Sequence, residues 1–219
     1  MLSGVGVLDK AVAVLRALES AGPLSLVELQ ENTGLPRATA HRLAAALTDH
    51  GLVRRDESGL YVLGWALVGL GRAAMHHSPL LELAAPIMNT VRRDTGESVQ
   101  LYVREGDMRR CVLSLESPHG LRWIVPEGAL LPLSVGSAGR VLDGAPLSKG
   151  GWVASVGERE AGVASVSAPV LDASGQMVAV LSVSGPIERL TRKPGDRHGA
   201  KVVAAARKLS VELRRSPRR

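Results

Sequence analysis

The sequence predicts an α+β protein in two parts, on three observations. Three runs with apolar residues at helical spacing fill residues 8 to 50 and close on a short hairpin-like segment. From Gly96 the texture changes to alternating, strand-like runs separated by turn residues. The stretch from Asp196 to Leu213 then returns to helical spacing. Helices grouped around a mixed antiparallel sheet make an α+β layout rather than a βαβ series. The 219 residues suffice for two ordinary domains, and 45% apolar content supplies a core. With no Phe and 2% aromatics, that core is Leu, Val and Ala.

Met1 to Val5 reads as an unstructured lead-in. Leu8 to Ser20 reads as a helix with Leu8, Ala11, Val12, Leu15 and Leu18 on one face, broken by Ala21-Gly22-Pro23. Ser25 with Glu28 three residues on forms a capping box for the next helix. Its apolar stripe begins at Val27 and Leu29 and ends at Thr33-Gly34, where Gly34 supplies a left-handed stop. Pro36 fits a first helical turn. The following helix, Pro36 to His50, buries Ala40, Leu43, Ala44 and Leu47, and Gly51 ends it. Two helices joined by a tight Gly-containing turn make a helix-turn-helix, and the Leu8 helix completes a three-helix core. Leu52 to Arg55 and Leu60 to Val62 read as strands around the turn residues Asp56 to Gly59, a β-hairpin wing.

The N-terminal end of the third helix carries Arg37, Thr39, His41 and Arg42, with Ala38 between them. That end enters the major groove in helix-turn-helix proteins, where Arg bonds guanine edges. Arg54 and Arg55 on the wing suit phosphates. From Pro36 to Arg55 there are four Arg against one acid, Asp49. The expected partner is double-stranded DNA; an ordinary helical hairpin with a solvated face is the plain alternative.

Gly64 to His76 is an apolar helix with Trp65, Leu67, Val68, Leu70 and Ala73, too hydrophobic for a solvated linker, and it is expected to pack on its copy in a second subunit. His76-His77 point about 100° apart on a helix and have no ligand-spaced neighbour, so no metal is expected. Ser78-Pro79 caps a helix from Leu80 to Thr95. The expected division is 1–63 for the DNA-binding domain, 64–78 for the linker helix and 79–219 for the second domain. In that domain strands are expected at Ser98–Val103, Arg109–Ser114, Leu121–Val125, Val163–Val170 and Gln176–Val183. A short helix is expected at Gly136–Leu142. A closing helix turns Val202, Val203, Ala206, Leu209 and Leu213 inward.

Net charge is +6 and the pI near 10.1, yet residues 1–60 carry six Lys+Arg against seven Asp+Glu. Much of the excess sits in the last 13 residues, so the local motif rather than the pI argues for DNA. The single cysteine, Cys111, excludes an intrachain disulfide and reads as a small buried hydrophobe. No run reaches the roughly 18 apolar residues of a membrane helix, and no signal peptide is evident, so the expected location is cytoplasmic. Against an enzyme, the second domain has only His119 and His198, neither near an apparent nucleophile in sequence, and no catalytic or phosphate-loop signature. No cofactor is expected. The competing readings are an enzyme or small-molecule-binding protein using the second domain, and a non-specific architectural DNA binder.

The chain resembles the IclR family of bacterial transcription regulators over nearly its whole length. The first half carries GVGVLDKAVAVLRAL, LPRATAHRL and LVRRDESGLYVLG; the second carries TGESVQLYVREGDMRRCV, VGSAGRVL, GWVASVGEREAGVASVSAPV and AVLSVSGPIERL. Within the family it looks most similar to the actinobacterial NdgR/LtbR subgroup, linked to leucine and other amino-acid biosynthesis genes. The resemblance implies a winged helix-turn-helix, a linker helix and a GAF-like effector domain, working as a dimer or dimer of dimers on a palindromic operator. It places a small-molecule effector on Leu131, Ser137, Ala138, Ser155, Val163, Ser165, Ser182 and Ser184. Strand hydroxyls there, with backbone N–H groups of the Gly-Ser-Ala loop, suit the carboxylate of an amino or keto acid. Where the family often has an acid or thiol this chain has Ser155 and Ser165, so a weakly charged pocket is expected. The family also places a longer, mostly helical segment where this sequence has only Asp143 to Gly150, which suggests a stretch missing between Leu142 and Gly151.

Overall fold

The computed structural model describes residues 6–215; the lead-in Met1 to Val5 and the terminal Arg218 and Arg219 lie outside them. Contacts divide the chain into two units, Met1–His77 and Ser78–Arg219.

The first unit holds α1 (Gly6–Ala21), α2 (Leu26–Thr33), α3 (Arg37–Asp49), β1 (Val53–Arg55), β2 (Tyr61–Leu63) and α4 (Ala66–His76). The Ser25 Oγ accepts from the Glu28 N–H at 3.3 Å, and the Glu28 carboxylate accepts from the Ser25 N–H at 2.7 Å. Gly34 adopts φ 67°, ψ 12° and ends α2. The buried residues of α3 are Ala40, Leu43, Ala44 and Leu47, the expected stripe. On α1 the expected face is displaced: Leu8 and Val12 are 52% and 42% exposed, while Val14, Ala17 and Leu18 are buried. The reason is reach, since only the later turns of α1 meet the cluster formed by Leu29, Leu43, Leu47, Val53 and Tyr61. Val27 likewise faces outward. In the wing, Asp56 Oδ1 accepts from the N–H groups of Ser58 and Leu60, both at 2.9 Å, and so closes the turn. An unforeseen bridge pairs Leu24 with Tyr61 and lashes the α1–α2 connection to the wing.

The second unit holds α5 (Pro79–Thr95), β3 (Ser98–Glu105), β4 (Met108–Leu115), β5 (Leu130–Pro132), α6 (Gly136–Leu142), β6 (Val153–Val156), β7 (Val163–Leu171), β8 (Met177–Pro186), α7 (Ile187–Leu190) and α8 (Pro194–Arg215). The strands form one antiparallel sheet in the order β5-β4-β3-β8-β7-β6. Strand alternation explains its two faces. Ala164, Val166, Ala168 and Val170 of β7 and Ala179, Leu181 and Val183 of β8 join Ile87 and Met88 of α5 and Val202, Ala206 and Leu209 of α8 in the main core. The intervening residues, Ser165, Ser167, Ser182 and Ser184, face the other way, toward α6.

One expected strand fails and one unexpected strand appears. Leu121–Val125 is not a strand; the partner of β4 is Leu130–Pro132. The 121–125 stretch is held by a side chain instead, Ser98 Oγ donating to the Trp123 carbonyl at 2.7 Å. The strand β6 was not anticipated, because four residues give too little alternation to read. Between Leu142 and Gly151 the chain makes a short turn, with Gly144 at φ 84° and the Ala145 N–H bonded to the Arg140 carbonyl at 2.8 Å.

His198 of α8 is buried and its Nδ1 has no partner. Burial, with Arg197 and Lys201 nearby, pushes its pKa below 6.5, against a smaller opposing pull from Glu97. The unfolded chain then binds the proton more readily, so this residue's contribution to stability is full above 6.5 and declines as pH falls below it. Urea unfolding from pH 7.5 to 5 should show a decline that His198→Gln reduces.

Candidate DNA-binding face and ligand cleft

On α3, Arg37, Ala38, His41 and Arg42 are exposed and Thr39 is half-buried. The N-cap Pro36 makes no side-chain cap bond and the first turn holds no acid, so the helix presents free N–H groups and positive charge together. Arg54 lies 4.9 Å from the Trp65 ring centroid. Its Nε is buried without a partner. Arg55 is more committed: Nη1 donates to the Gly59 carbonyl at 2.9 Å and Nη2 to the Tyr61 hydroxyl at 2.6 Å. Arg55 thus holds the hairpin together and keeps fewer donors for a phosphate.

The second unit contains a small cleft of about 40 Å³, partly open to solvent, between α6 and the serine face of the sheet. Ser137, Ala138, Ser155, Val163, Ser165, Ser182 and Ser184 all line it. Leu131, on β5, does not; it packs against the cluster of Tyr102, Cys111 and Leu142. Register makes the grouping: Ser165 sits opposite both Ser155 and Ser184, and Ser167 opposite Ser182. The hydroxyls are linked. Ser137 Oγ lies 2.7 Å from those of Ser165 and Ser167, Ser155 lies 3.0 Å from Ser165, and Ser167 donates to Ser182 at 2.9 Å. Ser184 donates to buried Gln100 at 2.8 Å.

Two expectations about this cleft need correction. The loop amides are not open to a ligand: Gly136 N–H donates to the Glu158 carboxylate at 3.1 Å and Ser137 N–H to Ser155 Oγ at 3.1 Å. A side-chain anion already occupies the helix start. Nor is the cleft weakly charged, because Arg109, Glu158, Arg159 and Glu160 also line it, with Tyr102 and Trp123. Sequence reasoning missed all of these. For Arg109 a signal existed: two residues from Cys111 on β4, it shares the inward face of its strand. Cys111 itself is buried, and burial, with Glu127 adding to it, pushes its thiol up to about 12, which suits packing and not nucleophilic attack.

The comparisons agree along the chain. The IclR helix-turn-helix domain model matches residues 7–57, and the bacterial transcriptional regulator IclR C-terminal model matches residues 72–149 and 145–211. The HTH-type transcriptional repressor AllR of Escherichia coli K12 is 27% identical, covering 96% of this chain and 91% of that protein. The transcriptional repressor IclR of the same strain is 25% identical, covering 88% and 84%. Among solved structures, an IclR-family transcriptional regulator of Rhodococcus shares 30% identity at TM-score 0.56, covering 97% and 96%. An IclR homologue of Microbacterium hydrocarbonoxydans, complexed with 4-hydroxybenzoate, superposes at TM-score 0.76 with 23% identity, covering 96% and 100%. No helix among the described residues is long and apolar enough to cross a membrane. A helix-turn-helix followed by an α+β effector domain, matched in order by both models, places this chain in the IclR family of DNA-binding transcriptional regulators, which are not enzymes.

Proposed function

We propose that this protein is a ligand-controlled regulator, reading a palindromic operator with α3 and sensing a small organic acid in the serine-faced cleft. The observation that carries the reading is the pairing of an exposed, cationic helix start in one unit with a polar, partly charged cleft in the other. Residues 1–63 act on DNA, 64–78 link, and 79–219 sense. Arg37, Ala38, Thr39, His41 and Arg42 contact bases or nearby phosphates, with Arg54 and Arg55 on the backbone. The two Escherichia coli relatives are repressors, which favours repression. The resemblance to amino-acid biosynthesis regulators favours leucine or a related acid as effector and those genes as targets, in the cytoplasm. The 4-hydroxybenzoate on the Microbacterium homologue keeps aromatic acids in view. Calorimetry with leucine, methionine, related keto acids and 4-hydroxybenzoate tests the site. If an acid binds the native protein and Ser182→Val/Ser184→Val retains it unchanged, the site lies elsewhere.

Dimerisation follows the same reading. Trp65, Val68, Leu70 and Met75 on and beside α4 are exposed, at 73%, 52%, 60% and 43%. A single winged helix covers one half-site, so two-fold pairing through this apolar helix and α1 yields the palindrome. Light scattering at micromolar concentration should give a dimer or tetramer; a monomer that still binds its operator tightly excludes this arrangement. Ligand binding then acts by shifting the equilibrium between half-site spacings.

On the wing, Arg54→Ala should weaken operator and scrambled DNA alike and reduce the salt slope by about one. Gel shifts at several salt concentrations check this. A loss confined to the operator would make Arg54 a base reader.

A further inference from the structure

Arg109 is 3% exposed, in mid-strand on β4. Its Nη1 donates to the carbonyls of Pro132 and Val135, the second at 2.9 Å, while its Nε is buried with no partner. Among the described residues no carboxylate pairs with it. The surrounding loop is shaped to hold it: a Cβ on Gly139 would strike Nη1, and one on Gly136 would lie 3.5 Å from Nη2. An Arg cannot shed its charge in a protein. Burial nonetheless pushes its pKa down, and Arg159 adds to that push while Tyr102 opposes it.

Arg159 lies on the β6–β7 connection, half-buried, its guanidinium 4.8 Å from the Trp123 ring centroid. It lines the same cleft, and no carboxylate pairs with it among the described residues. The neighbouring Glu158 is committed to Arg140 at 2.9 Å and to the Gly136 N–H. Glu160 is exposed at the mouth. The serine hydroxyls mostly satisfy one another, so they form a polar wall without net charge. Two cations therefore share one cleft without a paired acid, a placement that an anion between them relieves.

We propose that Arg109 and Arg159 are the charge-reading residues of this cleft and hold the carboxylate of a small organic acid, whose apolar body lies against Trp123 and Tyr102. The assignment rests on reading the cleft as the effector site. Planar guanidinium forks match a carboxylate in two-point contact, and the half-buried Arg159 is the one free to swing onto it.

The test is calorimetry on the full chain with pyruvate, leucine and 4-hydroxybenzoate, each beside its primary amide, and with inorganic phosphate. At least one acid should bind the native protein about tenfold or more tightly than its amide. Arg159→Gln, at a half-exposed position, should remove most of that preference while leaving the amide's affinity within about twofold. Arg109→Gln should do the same, with circular dichroism to show that it folds. Acid and amide binding alike, acid affinity untouched by Arg159→Gln, phosphate outcompeting every acid, or no acid binding at all each overturns the proposal. If Ser182→Val/Ser184→Val abolishes binding that Arg159→Gln spares, the cleft is the effector site and only the cation assignment falls. If bound acids and amides respond to none of these variants, the effector-site reading falls as well.

Discussion

Protein carrying Arg37→Ala and Arg42→Ala should lose operator-specific binding, retaining affinity close to that for scrambled DNA. Both side chains are exposed on the first turns of α3, five positions apart on a 13-residue helix. A bidentate Arg–guanine contact contributes about 1–3 kcal/mol of discrimination, so losing two such contacts at each half-site removes most of a typical specificity margin of about 4–10 kcal/mol. The helix core should survive, because Ala40, Leu43, Ala44 and Leu47 lie on the opposite stripe and Ala is a strong helix former. Circular dichroism checks folding, and a salt-titrated gel shift with operator and scrambled sequences reads the loss. Binding at native affinity by the double variant refutes the assignment of α3 as the reading helix. It would leave the wing and the DNA backbone as the source of affinity, the behaviour of a non-specific binder.

Arg189→Ala should be the most damaging single charge deletion in the second unit, lowering stability by about 2–4 kcal/mol after allowance for the partner's exposure. Glu97 precedes β3 with its side chain 3% exposed, whereas Arg189 is 27% exposed. The pair is bidentate, Nε to Oε1 at 2.6 Å and Nη2 to Oε2 at 2.9 Å. Gly185 on β8 makes the space: any Cβ there would strike the Glu97 carboxylate. Deleting Arg189 leaves a buried carboxylate without its bidentate partner and unable to reach water freely. Adding Glu97→Gln to Arg189→Ala removes the charge and should recover part of the loss. Urea unfolding of the two variants separates the cases, and equal instability in both would show that packing rather than buried charge sets the cost.

The first unit was legible almost residue by residue because its signals are local. A capping box, a left-handed Gly and an i, i+3, i+4, i+7 stripe each act within one or two helical turns, so Ser25, Gly34 and Leu43 behave as their neighbours dictate. The misplaced face of α1 came from a non-local fact, namely how far along that helix its partners extend. In the second unit, period-two alternation settled which side of β7 and β8 is apolar, and hence that Ser165, Ser182 and Ser184 share a face. It could not say which strands lie side by side, and register alone turns separate serines into one bonded set. The charges of the cleft are more distant still. Arg109 and Arg159 stand 50 positions apart in sequence and meet only because β4 and the β6–β7 connection border the same space. The sequence by itself determined the helix-turn-helix, its wing and the polar face of the sheet, since short-range backbone preferences and burial periodicity specify them. The tertiary structure decided that the α6 amides are already taken and that two unpaired guanidiniums face the cleft, since long-range contacts choose the partner of each donor.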